Sequence, residues 1–227
     1  MSKKKIAAMM VSLGLVAAIG AGATFAYLTK TTDQLTNTFT VGDGIDIGLY
    51  ETKWDGSHNG GHAENKTLAS TEFTGNKYTD LMPGDSVYKD PSVQVEPSSD
   101  CYLFVKLEGI DSLINPTEDA SWKQKDFTVS GLDSNTDWVK VKDISGDGNT
   151  TELKDGYYVY QGTKAESNVI KAQETAFMTG NLFNTIEYNA TADGRAANIT
   201  SITVKACAVQ AANFANADAA LKEAIWS

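Results

Sequence analysis

The chain of 227 residues is poor in the groups that do chemistry: it has two cysteines and two histidines, and both histidines stand in one Gly-rich stretch. It contains no phosphate-binding loop, no dinucleotide fingerprint and no Gly-x-Ser-x-Gly nucleophile turn. A Ser-His-Asp arrangement would have to draw its base from that single stretch. Positive charge is also scarce, with 19 Lys+Arg against 29 Asp+Glu and a formal charge of −10. Such a surface repels nucleic-acid phosphates and anionic lipid, so nucleic-acid binding is not expected. The two cysteines, Cys101 and Cys207, lie in apolar runs where a disulfide and a buried free thiol are both ordinary, and the sequence leaves the choice open.

What is present begins with a leader. Lys3, Lys4 and Lys5 precede the apolar run Ile6 to Ala18 and a stretch of mostly small residues, the three-part layout of a secretion signal. The expected cut follows Thr24-Phe25-Ala26 and leaves Tyr27 as the new N-terminus; the rival reading is an uncleaved anchor, since Ile6 to Leu28 is long enough to span a bilayer. Of the 19 Lys+Arg, three stand in the first 26 residues, which hold no acid, so the remaining 16 face 29 acids and the charge becomes −13. The remainder fits one domain in size, and the expected division is a signal peptide over 1–26, a separate N-terminal segment over 27–41 and a β-domain over 42–227.

Short alternating runs rich in β-branched and aromatic residues recur between Gly, Asn, Asp and Ser clusters, with no βαβ rhythm. They predict strands at Leu35 to Val41, Ile45 to Leu49, Ser86 to Val95, Cys101 to Leu107, Phe127 to Val129, Trp138 to Val141, Tyr157 to Tyr160, Ala176 to Met178 and Ile199 to Val209. Cys101 to Val105 is apolar on both faces, as in a central strand covered on both sides. A short helical turn is expected at Ile110 to Leu113, and Asn216 should cap a C-terminal helix over Ala217 to Trp226 with Leu221 and Ile225 on one face. Thr52 to Thr74, rich in Gly, His, Asn, Ser and Thr, is expected to be an exposed loop. The fold class is therefore all-β, a sandwich of two packed antiparallel sheets with few short helices and a C-terminal helix.

Three candidate sites can be weighed from spacing. His58-Asn59-Gly60-Gly61-His62 has the spacing of a zinc-protease helix, but Asn59 replaces the general-base Glu and the glycines oppose a helix. His58, His62 and Glu64 are thus candidate metal ligands in a loop, with solvated histidines the plainer reading, and no cofactor is expected. Asp143 to Gly148 begins like a calcium loop, yet Lys154 stands where the closing Glu belongs. Trp54, Trp122, Trp138 and Trp226 are too scattered for a carbohydrate platform and are expected to pack. The C-terminal run Ala220 to Ser227 has no Leu-Pro sorting motif, so ordinary wall anchoring is not expected.

The leader end Gly22-Ala23-Thr24-Phe25-Ala26-Tyr27 followed by Asn37-Thr38-Phe39-Thr40-Val41-Gly42, the turn Leu81-Met82-Pro83-Gly84-Asp85 before Ser86-Val87-Tyr88, and the run Ile202 to Ala211 occur in that order. Together they resemble the TasA/camelysin family of secreted biofilm-matrix proteins of Gram-positive bacteria, whose leaders are removed by a dedicated signal peptidase. The resemblance implies a jelly-roll-like antiparallel β-sandwich and a non-enzymatic subunit, exported to the extracellular matrix or cell surface, that polymerises head to tail with its own copies. Other matrix components are implied as further partners, and the signal peptidase as a partner during export. It also implies that the N-terminal segment of one subunit adds as a strand to the next, a role for which Leu28, Leu35, Phe39 and Val41 are the candidate anchors. Two other readings stay open: a camelysin-like surface metalloprotease, and a secreted monomeric binding or adhesion module.

Overall fold

The computed structural model describes residues 29–31, 44–59, 66–114, 127–131, 137–141, 155–190 and 201–226. Its elements in chain order are β1 (Thr29–Thr31), β2 (Asp46–Thr52), β3 (Lys66–Leu68), β4 (Ser86–Tyr88), β5 (Ser92–Glu96), β6 (Cys101–Glu108), α1 (Ile110–Ile114), β7 (Phe127–Ser130), β8 (Trp138–Lys140) and β9 (Gly156–Tyr160). They continue with β10 (Ala165–Glu166), β11 (Val169–Ile170), β12 (Phe177–Met178), β13 (Thr185–Tyr188), β14 (Thr203–Gln210), a single 3-10 turn (Ala211–Asn213) and α2 (Ala217–Lys222). Every pairing between these strands is antiparallel, and the protein is an all-β sandwich, with two short α-helices among the described residues.

The longest pairing sets the frame. β14 runs beside β6 from Thr203 opposite Glu108 to Gln210 opposite Cys101, with β1 on the far side of β14 and β9, β8 and the β10–β11 hairpin on the far side of β6. Opposite this sheet lie two smaller ones, ordered β12-β5-β2-β3 and β4-β13-β7. Because side chains alternate along a strand, Leu103, Val105 and Leu107 of β6 enter the core between the sheets beside Ala206 and Ala208 of β14, facing Val93, Val95, Val87, Phe127 and Ile186. The intervening Tyr102 and Phe104, with Cys207 and Val209, point to the other face and are covered by Ala217, Ala220 and Leu221 of α2. The two-sided apolar pattern of Cys101 to Val105 is thereby accounted for.

Several expectations need correction. Ser86 to Val95 is two strands rather than one, because Pro91 has no N–H for a ladder and Asp90 turns inward to accept hydrogen bonds from Thr52. Thr52 to Thr74 is more than an exposed loop: Thr52 is buried, Trp54 packs against the inner core, and β3 pairs Lys66 with Thr52. The C-terminal helix has its Asn216 cap, which accepts from Ala219 N at 2.9 Å, but it stops at Lys222, leaving Ile225 outside the helix and exposed. Trp226 instead turns its ring onto Tyr157. β14 begins at Thr203, and residues 199–200 lie outside the described set, as does the predicted strand Leu35 to Val41.

Cys101 and Cys207 are both free thiols. Cys101 faces the inner core and Cys207 the space beneath α2, on opposite sides of one sheet, so they cannot bond to each other within a folded chain. Burial pushes each thiol up to about 12, which keeps it protonated and unreactive while covered.

Candidate functional site

The edge of the large sheet is the first place where the sequence expectations meet the structure. β1 adds antiparallel to β14 with Thr29 opposite Val209, Lys30 opposite Ala208 and Thr31 opposite Cys207. These are residues of the segment expected to carry the donor strand. The cleavage residues Ala26 and Tyr27 and the candidate anchors Leu28, Leu35, Phe39 and Val41 lie outside the described residues. β14 itself is held in place on its other flank by the whole length of β6, so the edge that receives β1 is a stiff one.

The second place is the turn before β4. Met82 to Asp85 forms the expected Pro-Gly turn, with Gly84 at φ 99° and Asp85 N donating to Met82 O at 2.9 Å. The Asp85 carboxylate reaches back to accept from Met82 N at 2.7 Å and meets His58 Nδ1 at 2.9 Å. The Met82 N–H first, and His58 second, hold Asp85 below the usual carboxylate range. His58 also stands edge-on to Trp54, and its carbonyl accepts from Ser86 N. One ring nitrogen of His58 is therefore committed to Asp85, and the histidine ties its loop to β4. His62 and Glu64 fall outside the described residues, and among the described residues no three His, Cys, Asp or Glu side chains are grouped to hold a metal.

The third place was not foreseen. Around β2, β3 and β5 a set of buried and half-buried polar side chains meets. Asp90 is 1% exposed; its Oδ1 accepts from Thr52 N at 2.8 Å, and its Oδ2 accepts from Thr52 Oγ1 at 3.0 Å and pairs with Lys66 Nζ at 3.0 Å. The same Lys66 nitrogen donates to Asp90 O, to Ser92 Oγ and to Asn181 Oδ1. Beside it, Lys89 pairs with Glu51 at 3.0 Å, and Glu51 accepts from Asn76 Nδ2. Tyr78 donates to Tyr88 O, and burial, with the Glu51 charge next, raises its hydroxyl far above the ordinary range. The participants are far apart in sequence, Asn181 standing 115 positions from Lys66, so no local pattern announces them.

The calcium-like run Asp143 to Gly148, Lys154 and Trp122 lie outside the described residues. The other tryptophans pack separately: Trp138 in the inner core against Tyr160, Trp54 beside Tyr78, Trp226 on the outer face. No family model, no curated protein and no solved structure matches the chain. Among the described residues, no helix is long and apolar enough to cross a membrane.

Proposed function

We propose that the chain is an exported structural subunit of the TasA/camelysin type, cut after Ala26, that polymerises head to tail into extracellular fibres by adding its N-terminal segment to a neighbour. The observation that carries this reading is the pairing of Thr29–Thr31 along the edge of β14. An edge strand satisfies backbone groups equally well whether it comes from its own chain or from another copy. A segment that follows directly on the cleavage site and lies at the rim of the sandwich can be exchanged without disturbing the core. Exchange between copies is a heterologous contact, which need not close and so extends into a filament. The formal charge of −13 left after the leader keeps free subunits apart until strands pair.

The test is to delete residues 27–36 from the processed protein and examine both forms by size exclusion and electron microscopy. The intact form is expected to give filaments and the deleted form a folded monomer. Filaments from the deleted form would sink the reading. So would an intact protein that stays monomeric, and zinc-dependent proteolysis lost on His58→Ala or His62→Ala would put the metalloprotease in its place.

A further inference from the structure

The half-buried Lys66 site has an arrangement that a plain ion pair does not require. A single amine nitrogen touches a carboxylate and the carbonyl oxygen of a side-chain amide, and each of the three groups is fixed from behind. Lys66 is held by β3, where it pairs with Thr52. Asp90 is held by the backbone N–H and hydroxyl of that same Thr52. Asn181 sits in a segment tied down on both sides: Thr179 N donates to Val93 O and Leu182 N to Pro91 O, both at 2.8 Å, while Gly180 accepts from Trp138 Nε1 and donates to Asp137. The Asn181 amide nitrogen is turned toward Asn184 Oδ1, at 2.8 Å, and the Tyr88 hydroxyl bonds the same side chain.

We propose that Lys66 and Asn181 join in an intramolecular isopeptide bond, with Asp90 carrying the protons. A proton passes from the Lys66 ammonium to Asp90, leaving an amine against a carboxylic acid. The amine nitrogen attacks Cγ of Asn181 and the new C–N bond forms while Asp90 protonates Oδ1. Asp90 then takes a proton from the attacking nitrogen and delivers it to Nδ2, which leaves as ammonia; the hydroxyl proton returns to Asp90 as the carbonyl reforms. An amine and a primary amide become a secondary amide and ammonia, with no redox change and no cofactor. Holding the reactants in register replaces a bimolecular encounter. The product also replaces an ammonium set against the 1% exposed Asp90 by a neutral amide.

The neighbouring Lys89 supplies an internal contrast. There the Glu51 carboxylate stands between the lysine and Asn76, and the Asn76 carbonyl oxygen accepts from Trp54 N instead. Lys89 should stay a free amine. The bond at Lys66 would link β3, at one border of its sheet, to the segment after β12, at the other border, closing a loop of 115 positions. It does not depend on how copies of the chain assemble.

Mass spectrometry of the full purified chain, unfolded and digested, tests this. The intact mass is expected to fall short of the sequence mass between its measured termini by one ammonia, and digestion should yield a branched peptide joining Lys66 to Asn181. Lys66→Arg and Asn181→Ala should each restore the missing mass, and Lys89→Arg should leave it missing. A folded wild-type protein at full mass overturns the proposal. So does a deficit located at Asn59-Gly60, where an asparagine can lose ammonia by cyclising on its own backbone. Should the variants fail to fold, the presence or absence of the branched peptide in the wild type still decides.

Discussion

If α2 is a cover over one face of the large sheet rather than part of the central core, the two thiols should report on two different openings. Leu221 of α2 is 2% exposed and packs on the Cys207 face, whereas Leu103 is fully buried between the sheets beside Cys101. Truncating a buried leucine to alanine costs about 2–5 kcal/mol, less where the surroundings can settle. We therefore expect about 3 kcal/mol for Leu221→Ala, since a two-turn helix can shift, and about 4 kcal/mol for Leu103→Ala, enclosed by strands. At roughly 1.4 kcal/mol per tenfold change, these correspond to about a hundredfold and about a thousandfold in the population of opened chains. Both thiols are protonated and covered in the native state, so a thiol reagent reads that population when reclosing outpaces reaction. Leu221→Ala favours both the undocking of α2 and complete unfolding, so Cys207 and Cys101 should both label roughly a hundredfold faster. Leu103→Ala leaves the docking of α2 untouched; Cys101 labelling should rise roughly a thousandfold while Cys207, exposed through undocking, keeps its wild-type rate. If Cys207 follows Cys101 in Leu103→Ala, the helix does not open separately and the description of α2 as a cover is wrong.

Two other expectations concern the turns. Gly109, between β6 and α1, has φ 90°, and a Cβ there would lie 2.3 Å from Ser201 O, so Gly109→Ala should lose at least about 1–2 kcal/mol in a urea titration; an unchanged midpoint would refute the strain. Asp85 has its native carboxyl lowered from 3.8, so its support of the Met82–Asp85 turn is complete above that value and is lost as pH falls through the depressed native one. Carboxyl NMR should show it titrating below 3.8, and a midpoint at or above this would contradict the Met82 and His58 contacts.

The parts of the fold that could be read from sequence are those whose own residues carry the period. β6 and β14, eight residues each, carry apolar runs long enough to mark central strands, and Asn216 announces the start of α2 by its chemistry. β3 and the β10–β11 hairpin are two or three residues long, too short for any period to emerge. The hairpin turn is made by Ser167 and Asn168, at φ 51° and 67°, in place of the Asn-Gly pair that marks such turns. Pro91 marks the break in Ser86 to Val95, but its other cause, the contact of Asp90 with Thr52, lies across the sheet; α2 closes at Lys222, where the Glu223 N–H turns to Ala220 O and Leu221 O. His58 was visible as a candidate, but its partner Asp85 was visible only as a turn residue. Lys66, Asp90 and Asn181 are unremarkable one by one; only the folded chain brings them to one nitrogen.

The seam between β1 and β14 also fixes how tension would act on a filament assembled through that edge. A strand drawn along its own axis puts every cross-strand bond of the seam in shear at once, whereas one peeled sideways gives way bond by bond. On its inner flank β14 is joined to β6 over eight paired residues, and on its outer flank to β1 over three described ones. A pull carried into β14 therefore reaches the rest of the sandwich through that eight-residue pairing with β6, loaded in shear along its whole length rather than peeled from one end.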